Sequence, residues 1–154
     1  MTSTSRVQQR AELVAYAANE DDDFDPVALT EFLGIDPTSV HRKGELLKGG
    51  RVRPFSAWMW STADQVEVDT EVLIREVLDN FEPMAKVDEA RGRFGLEFKM
   101  DVVIEMYGHL DIEPDGTTGA VVATPALYLS PGTLLRLTRL GCGLDIDTYV
   151  IAPE

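Results

Sequence analysis

Residues 96–106 read Leu-Glu-Phe-Lys-Met-Asp-Val-Val-Ile-Glu-Met. In an extended chain Leu96, Phe98, Met100, Val102, Ile104 and Met106 fall on one side, and Glu97, Lys99, Asp101, Val103 and Glu105 on the other. Period-two alternation predicts a strand with one dry face and one wet face. A wet face points to an antiparallel or mixed sheet, because parallel sheets are usually covered on both sides. Val103 interrupts the polar row. The prediction is nonetheless that Phe98, Met100, Val102 and Ile104 share a face, without the one-residue bulge that would turn half of them outward.

Outward from this strand, helices and strands alternate. Residues 1–10 read as a disordered tail, and residues 11–154 as a single α+β domain. Arg10–Ala18 is predicted as the first strand, with Leu13, Ala15 and Ala17 on one side and Val14 and Tyr16 on the other. Asp25-Pro26 supplies an N-cap and a first-turn proline for a helix over Pro26–Leu33, stopped by Gly34. Strands are predicted over Ser39–Lys43 and Pro54–Ser61, joined by a hairpin tip containing Gly49-Gly50. The spacing of Leu73, Ile74, Val77, Leu78 and Phe81 predicts a helix from Asp69 or Thr70 to Phe81. Pro83 ends it, and a further helix follows over Met84–Phe94 with Met84, Val87 and Phe94 apolar. Beyond the central strand, Gly108–Gly119 reads as a polar loop with a turn at Pro114-Asp115-Gly116. Ala120–Leu129 reads as a strand, Ser130-Pro131 opens a last helix ended by Gly141, and Leu144–Ile151 is the final strand. The order β-α-β-β-α-α-β-β-α-β predicts a two-layer α+β sandwich, a mostly antiparallel sheet with helices on one face.

Composition bounds the function. The chain has 154 residues, 44% hydrophobic and 27% charged, as expected of a globular domain with a real core. The lone cysteine, Cys142, excludes an internal disulfide and fits a reducing compartment. No apolar run approaches the ~20 residues of a membrane span, and no apolar segment follows the N-terminus as a secretory signal would require. A cytoplasmic protein without a membrane partner is expected. The net charge of −13 disfavours nucleic acid as a partner, because phosphates are repelled by the overall field, and it suits a basic one.

Phe24-Asp25-Pro26, Leu33-Gly34-Ile35-Asp36-Pro37-Thr38, Lys43-Gly44-Glu45, Trp58, and Leu140-Gly141 followed by Leu144-Asp145-Ile146-Asp147-Thr148-Tyr149 stand in this order. Together, from Glu12 to Tyr149, they resemble a bacterial family of small domains of unknown function with the pattern Leu-Gly-Ile-x-Pro-Thr, Lys-Gly-Glu, Trp and Leu-Asp-Ile-Asp-x-Tyr. The resemblance implies a small intracellular α+β domain and supplies no catalytic residues.

Four features stand out for chemistry. Arg42, Lys43, Lys48, Arg51 and Arg53 concentrate five of the 14 basic residues within twelve positions, a solvated hairpin or an anion-binding patch. Trp58 and Trp60 share one face of their strand, while Phe55 and Met59 sit on the other. Either the tryptophans are buried, or they form an exposed aromatic platform. Asp145 and Asp147 share a strand face with Tyr149 beside them, a solvated row, a pair that could hold a divalent cation together with waters, or a general acid and base. Asp21, Asp23 and Asp25 have EF-hand-like spacing, but Pro26 and Phe32 stand where glycine and glutamate are required. No catalytic residue, metal ligand or cofactor is expected. His41 and His109 lack partners at metal-ligand spacing, and Cys142 has the surroundings of an inert thiol.

The expected function is a noncatalytic binding or protein-interaction module, with Arg42, Lys43, Trp58, Trp60, Asp145, Asp147 and Tyr149 as candidate binding residues. The alternative is a small enzyme using Asp145 and Asp147. Partners are expected to be proteins, including a second copy. In such a homodimer the basic hairpin of one subunit would meet the acidic face of the other, with the tryptophans joining the interface.

Overall fold

The computed structural model describes residues 6–82 and 85–151. The elements run β1 (Arg6–Ala17), α1 (Pro26–Leu33), β2 (Ser39–His41), β3 (Ala57–Ser61), β4 (Gln65–Val66), α2 (Thr70–Asn80), α3 (Ala85–Phe94), β5 (Leu96–Tyr107), β6 (His109–Ile112), β7 (Thr118–Val121), α4 (Pro131–Leu140) and β8 (Gly143–Ile151). The main sheet has the order β2-β3-β1-β5-β8, with β4 also on β1. Its long centre is the antiparallel pair β1–β5, in continuous register from Arg6 opposite Tyr107 to Ala17 opposite Leu96. Every pairing is antiparallel except β5–β8. The fold is the α+β sandwich that the alternation in residues 96–106 predicted.

The dry rows make the core. Leu96, Phe98, Met100, Val102 and Ile104 are buried, opposite Ala17, Ala15, Leu13, Ala11 and Gln9. There is no bulge, so the four co-facial residues stand as predicted. All four helices put apolar residues into this same cluster: Leu29 and Leu33, Leu73 to Leu78, Val87 and Ala90, Leu137 and Leu140. The helices therefore lie on one face of the sheet. Their ends follow the local chemistry. Asp25 accepts from Val27 N–H at 3.0 Å and Ser130 accepts from Thr133 N–H at 3.3 Å, satisfying donors that a helix start leaves free. Gly34 (φ 69°) and Gly141 (φ 65°) end α1 and α4 in the left-handed conformation that glycine adopts without strain.

Three expectations need correction. The first strand starts at Arg6, so residues 6–10 are not tail; residues 1–5 lie outside the described residues. Gln9 explains the extension. It sits in the dry row, yet Thr70 Oγ1 donates to its Oε1, and its Nε2 donates to Val68 O at 2.8 Å. Both ends of the amide are satisfied, so its burial costs little. The Gly108–Gly119 loop is a hairpin, β6–β7, closed by Asp115, which accepts from Thr117 N–H at 2.9 Å. The strand expected over 120–129 ends at Val121, and residues 122–130 are irregular. Pro125 lacks the N–H that a ladder requires. Smaller differences are the end of β2 at His41, the start of β3 at Ala57 and the added short strand β4. Pro83 as a helix breaker and Met84 in an apolar stripe lie outside the described residues.

Candidate binding groove on the wet face

The wet side of the sheet is not uniformly polar. β1 contributes Glu12, Val14 and Tyr16 to it. The β1–β3 register sets Met59 beside Val14 and Ala57 beside Tyr16, and β2 brings His41 next to Ala57. On the other side of β1, Lys99 lies opposite Val14 and Asp101 opposite Glu12. The loop after β1 (Ala18, Asn19, Glu20, Asp22) and Phe55 complete a groove of about 610 Å³. That volume lies within the usual range for ligand sites, roughly 300–1,000 Å³. Apolar lining comes from Val14, Ala57, Met59 and Phe55, and charge from Glu12, Glu20, Asp22, Lys99 and Asp101.

The charged part is arranged unusually. Glu12, Asp101 and Asp145 face one another across three adjacent strands, although like charges directly opposite are destabilising. Two cations offset this. Arg10 Nε is 2.6 Å from Glu12, and Lys99 Nζ is 3.0 Å from Asp101 Oδ1 and 3.4 Å from Asp145. Lys99 meets Oδ1 outside hydrogen-bonding geometry, so among the described residues this buried oxygen has a counter-charge but no donor. Burial pushes the Asp101 carboxyl up, outweighing the Lys99 ammonium. Burial and the nearby Arg53 push His41 down, favouring the neutral imidazole. Tyr16 donates its hydroxyl to Glu97 at 3.0 Å, and burial with that bond raises its pKa. The groove thus combines an apolar floor with an acidic wall whose one lysine is already engaged.

The residues singled out by sequence are dispersed. Asp145 joins the carboxylate row at the margin of the groove, but Asp147 lies opposite Val103 and Tyr149 opposite Glu105, both exposed and away from it. Arg42 and Lys43 line a separate, shallow depression of about 410 Å³ with Asp23, Asp25 and Ser56. Arg42 lies 3.7 Å from Asp25, and Arg53 pairs with Glu45 at 3.0 Å, so the hairpin's charge is partly answered by its own chain. The aromatic platform is overturned. Trp58 is fully buried, its Nε1–H donating to Thr30 Oγ1 at 3.0 Å, and Trp60 is half-buried. Both meet the edge of Phe81 at 6.0 Å between ring centroids. They face the helices because they are in register with Ala15 and Leu13 of the dry row. Trp58 serves the core alone, and Trp60 packs against the core with part of its ring exposed.

Sequence reasoning missed Val14, Tyr16, His41, Phe55, Met59 and Asp101. One signal was available: two strands carried apolar residues on both faces, more than a single core needs. Cys142 is an inert thiol, since burial pushes it up to about 11. Among the described residues, no cluster of three or more His, Cys, Asp or Glu side chains could hold a metal ion, and no helix is long and apolar enough to cross a membrane.

Comparison with curated proteins and with solved structures gives no significant match to either. A family model does match: it is described as a domain of unknown function, DUF4279, it covers residues 10–151, and the chain belongs to that family.

Proposed function

We propose that this domain is a noncatalytic binding module, and that its sheet-face groove receives a basic, partly apolar segment of a protein partner. The observation that carries this reading is the groove itself. A wet sheet face needs no apolar floor for folding, yet Val14, Ala57, Met59 and Phe55 supply one beside Glu12, Asp101, Glu20 and Asp22. Apolar lining with a few convergent polar groups is the usual composition of a binding site. The acidic wall suits a lysine or arginine, and the chain's net charge of −13 would steer such a partner towards it. The enzyme reading has less support. Asp145 is well exposed on the outermost strand, and Asp147 and Tyr149 stand open to solvent, where a general acid or base gains little from its surroundings.

Selection from a random peptide library on the intact domain tests this, with counter-selection on Val14→Arg, which fills the groove and adds a positive charge to its floor. Enriched peptides should combine lysine or arginine with apolar residues and should be lost on the variant. Enrichment of acidic peptides, or equal retention by Val14→Arg, would refute the reading.

A further inference from the structure

Among the described residues, β8 pairs with β5 alone and leaves the other side of a nine-residue strand open. We propose that this edge is a homodimer interface, in which two copies pair their β8 strands antiparallel about Thr148 and join the two sheets into one. This surface is separate from the groove and does not depend on it.

The backbone sets the geometry. Gly108 N–H donates to Ile151 O at 3.1 Å. Backbone groups alternate sides along a strand, so the odd-numbered residues of β8 bond to β5. Leu144, Ile146, Thr148 and Val150 turn their N–H and C=O groups to the open edge, where the Ile146 N–H donates to Asp145 Oδ1 at 3.0 Å, so that carboxylate must turn aside for a partner strand to pair there. The register with β5 is unbroken from Gly143 to Ile151, and no bulge or proline blunts the strand. Such an edge is a template for another chain. It also exposes apolar area: Val150 is 63% exposed and Tyr149 50%.

Charge selects both the partner and the register. Two copies related by a two-fold axis keep like faces together, so odd residues meet odd and even meet even. Centring the pair on Asp147 would set that carboxylate against itself. Centring it on Ile146 would set Asp145 against Asp147 twice. Centring it on Thr148 places Asp147 opposite Tyr149 and Asp145 opposite Ile151, with Ile146 opposite Val150 on the dry side. Thr148 then meets its own counterpart through its outward N–H and C=O, and threonine pairs are favourable cross-strand neighbours. The arrangement is isologous and closed. A stable interface takes about 800 Å² per partner. The strand contact is extended by α4, which packs on the dry side of β8 with Leu134 and Leu135 about half exposed. Each copy carries a charge of −13, so association strengthens as salt screens the repulsion.

Sedimentation equilibrium and amide exchange on the full chain test the proposal. Wild type should dimerise in the micromolar range, several-fold more tightly at moderate than at low salt. In the dimer, the amides of Thr148 and Val150 should exchange slowly. Thr148→Pro removes an N–H that only the partner uses, at a position where an edge strand tolerates proline. It should be monomeric with an unchanged Tm. Val150→Lys changes an exposed side chain and gives the same test if the proline variant does not fold. A wild type that stays monomeric at every concentration and salt overturns the proposal. So does a folded variant that still dimerises, or a wild-type dimer whose Thr148 and Val150 amides exchange fast.

Discussion

The two faces of β5 carry alternate residues of one stretch and have opposite characters. Phe98, Met100 and Val102 are sealed beneath four helices, while Lys99 and Asp101 look into a groove. On the dry face the neighbours are mostly apolar and shape dominates the energy. On the wet face, Glu12, Asp101 and Asp145 are held in line against their own repulsion, and Arg10 and Lys99 offset it. An arrangement that folding alone does not favour is where function is to be sought.

The largest effect is expected on the dry face. Trp58→Ala removes a fully buried ring and leaves Thr30 Oγ1 without its donor. It should cost about 3–5 kcal/mol in urea melts, the range for large core aromatics. Trp60→Ala, at a half-buried site, should cost clearly less. Equal losses would mean that the two rings share one environment.

The next effect concerns how α4 is held beside the same core. Glu71 of α2 accepts from the Ser130 hydroxyl, the Thr133 hydroxyl and the Ser130 amide, and these bonds lower its pKa to about 2. The folded-state pKa lies below the unfolded one. The stabilisation is therefore present above the ordinary carboxylate range and is lost as pH falls towards about 2. Thermal melts across acid pH should show that loss in wild type, and Glu71→Gln should flatten it. Parallel profiles for the two proteins would contradict the assignment.

Asp101 predicts the opposite sign, and a smaller effect. Burial raises its folded-state pKa, so its contribution favours the fold below that pKa and is lost as pH rises through it. Asp101→Asn should change stability at neutral pH by less than about 1 kcal/mol, the scale of a part-exposed ion pair. The change should be neutral or stabilising, and the variant should weaken capture of the basic peptides selected on wild type. A large destabilisation would make Asp101 part of the fold's framework. The smallest expected effect is none at all: melts with and without EDTA should coincide, since no cluster of metal-ligating side chains stands among the described residues to couple metal binding to folding. A drop of several degrees would contradict that.

Much of the dry face was legible because its signals are local. The alternation from Leu96 to Met106, the Asp25 and Ser130 caps and the Gly34 and Gly141 stops each lie within a few residues of what they determine. Gln9 was not legible, because its burial depends on Thr70 and Val68, some sixty positions away. The groove was missed for the same reason. Val14 and Tyr16 were read as one side of a strand, and Phe55 and Met59 as one side of another. Only the β1–β3 register makes Val14 and Met59 neighbours. The tryptophans could be read two ways because their strand is apolar on both faces, and the choice of dry face was settled by pairing with Leu13 and Ala15.

The central claim, that alternate residues of β5 divide between fold and surface, is tested most directly by urea unfolding of an alanine scan from Phe98 to Ile104. Phe98, Met100, Val102 and Ile104 should each lose at least about 2 kcal/mol, and Lys99, Asp101 and Val103 less than about 1 kcal/mol. Losses spread evenly along the strand, or an alternation that slips by one residue at Val103, would contradict the account.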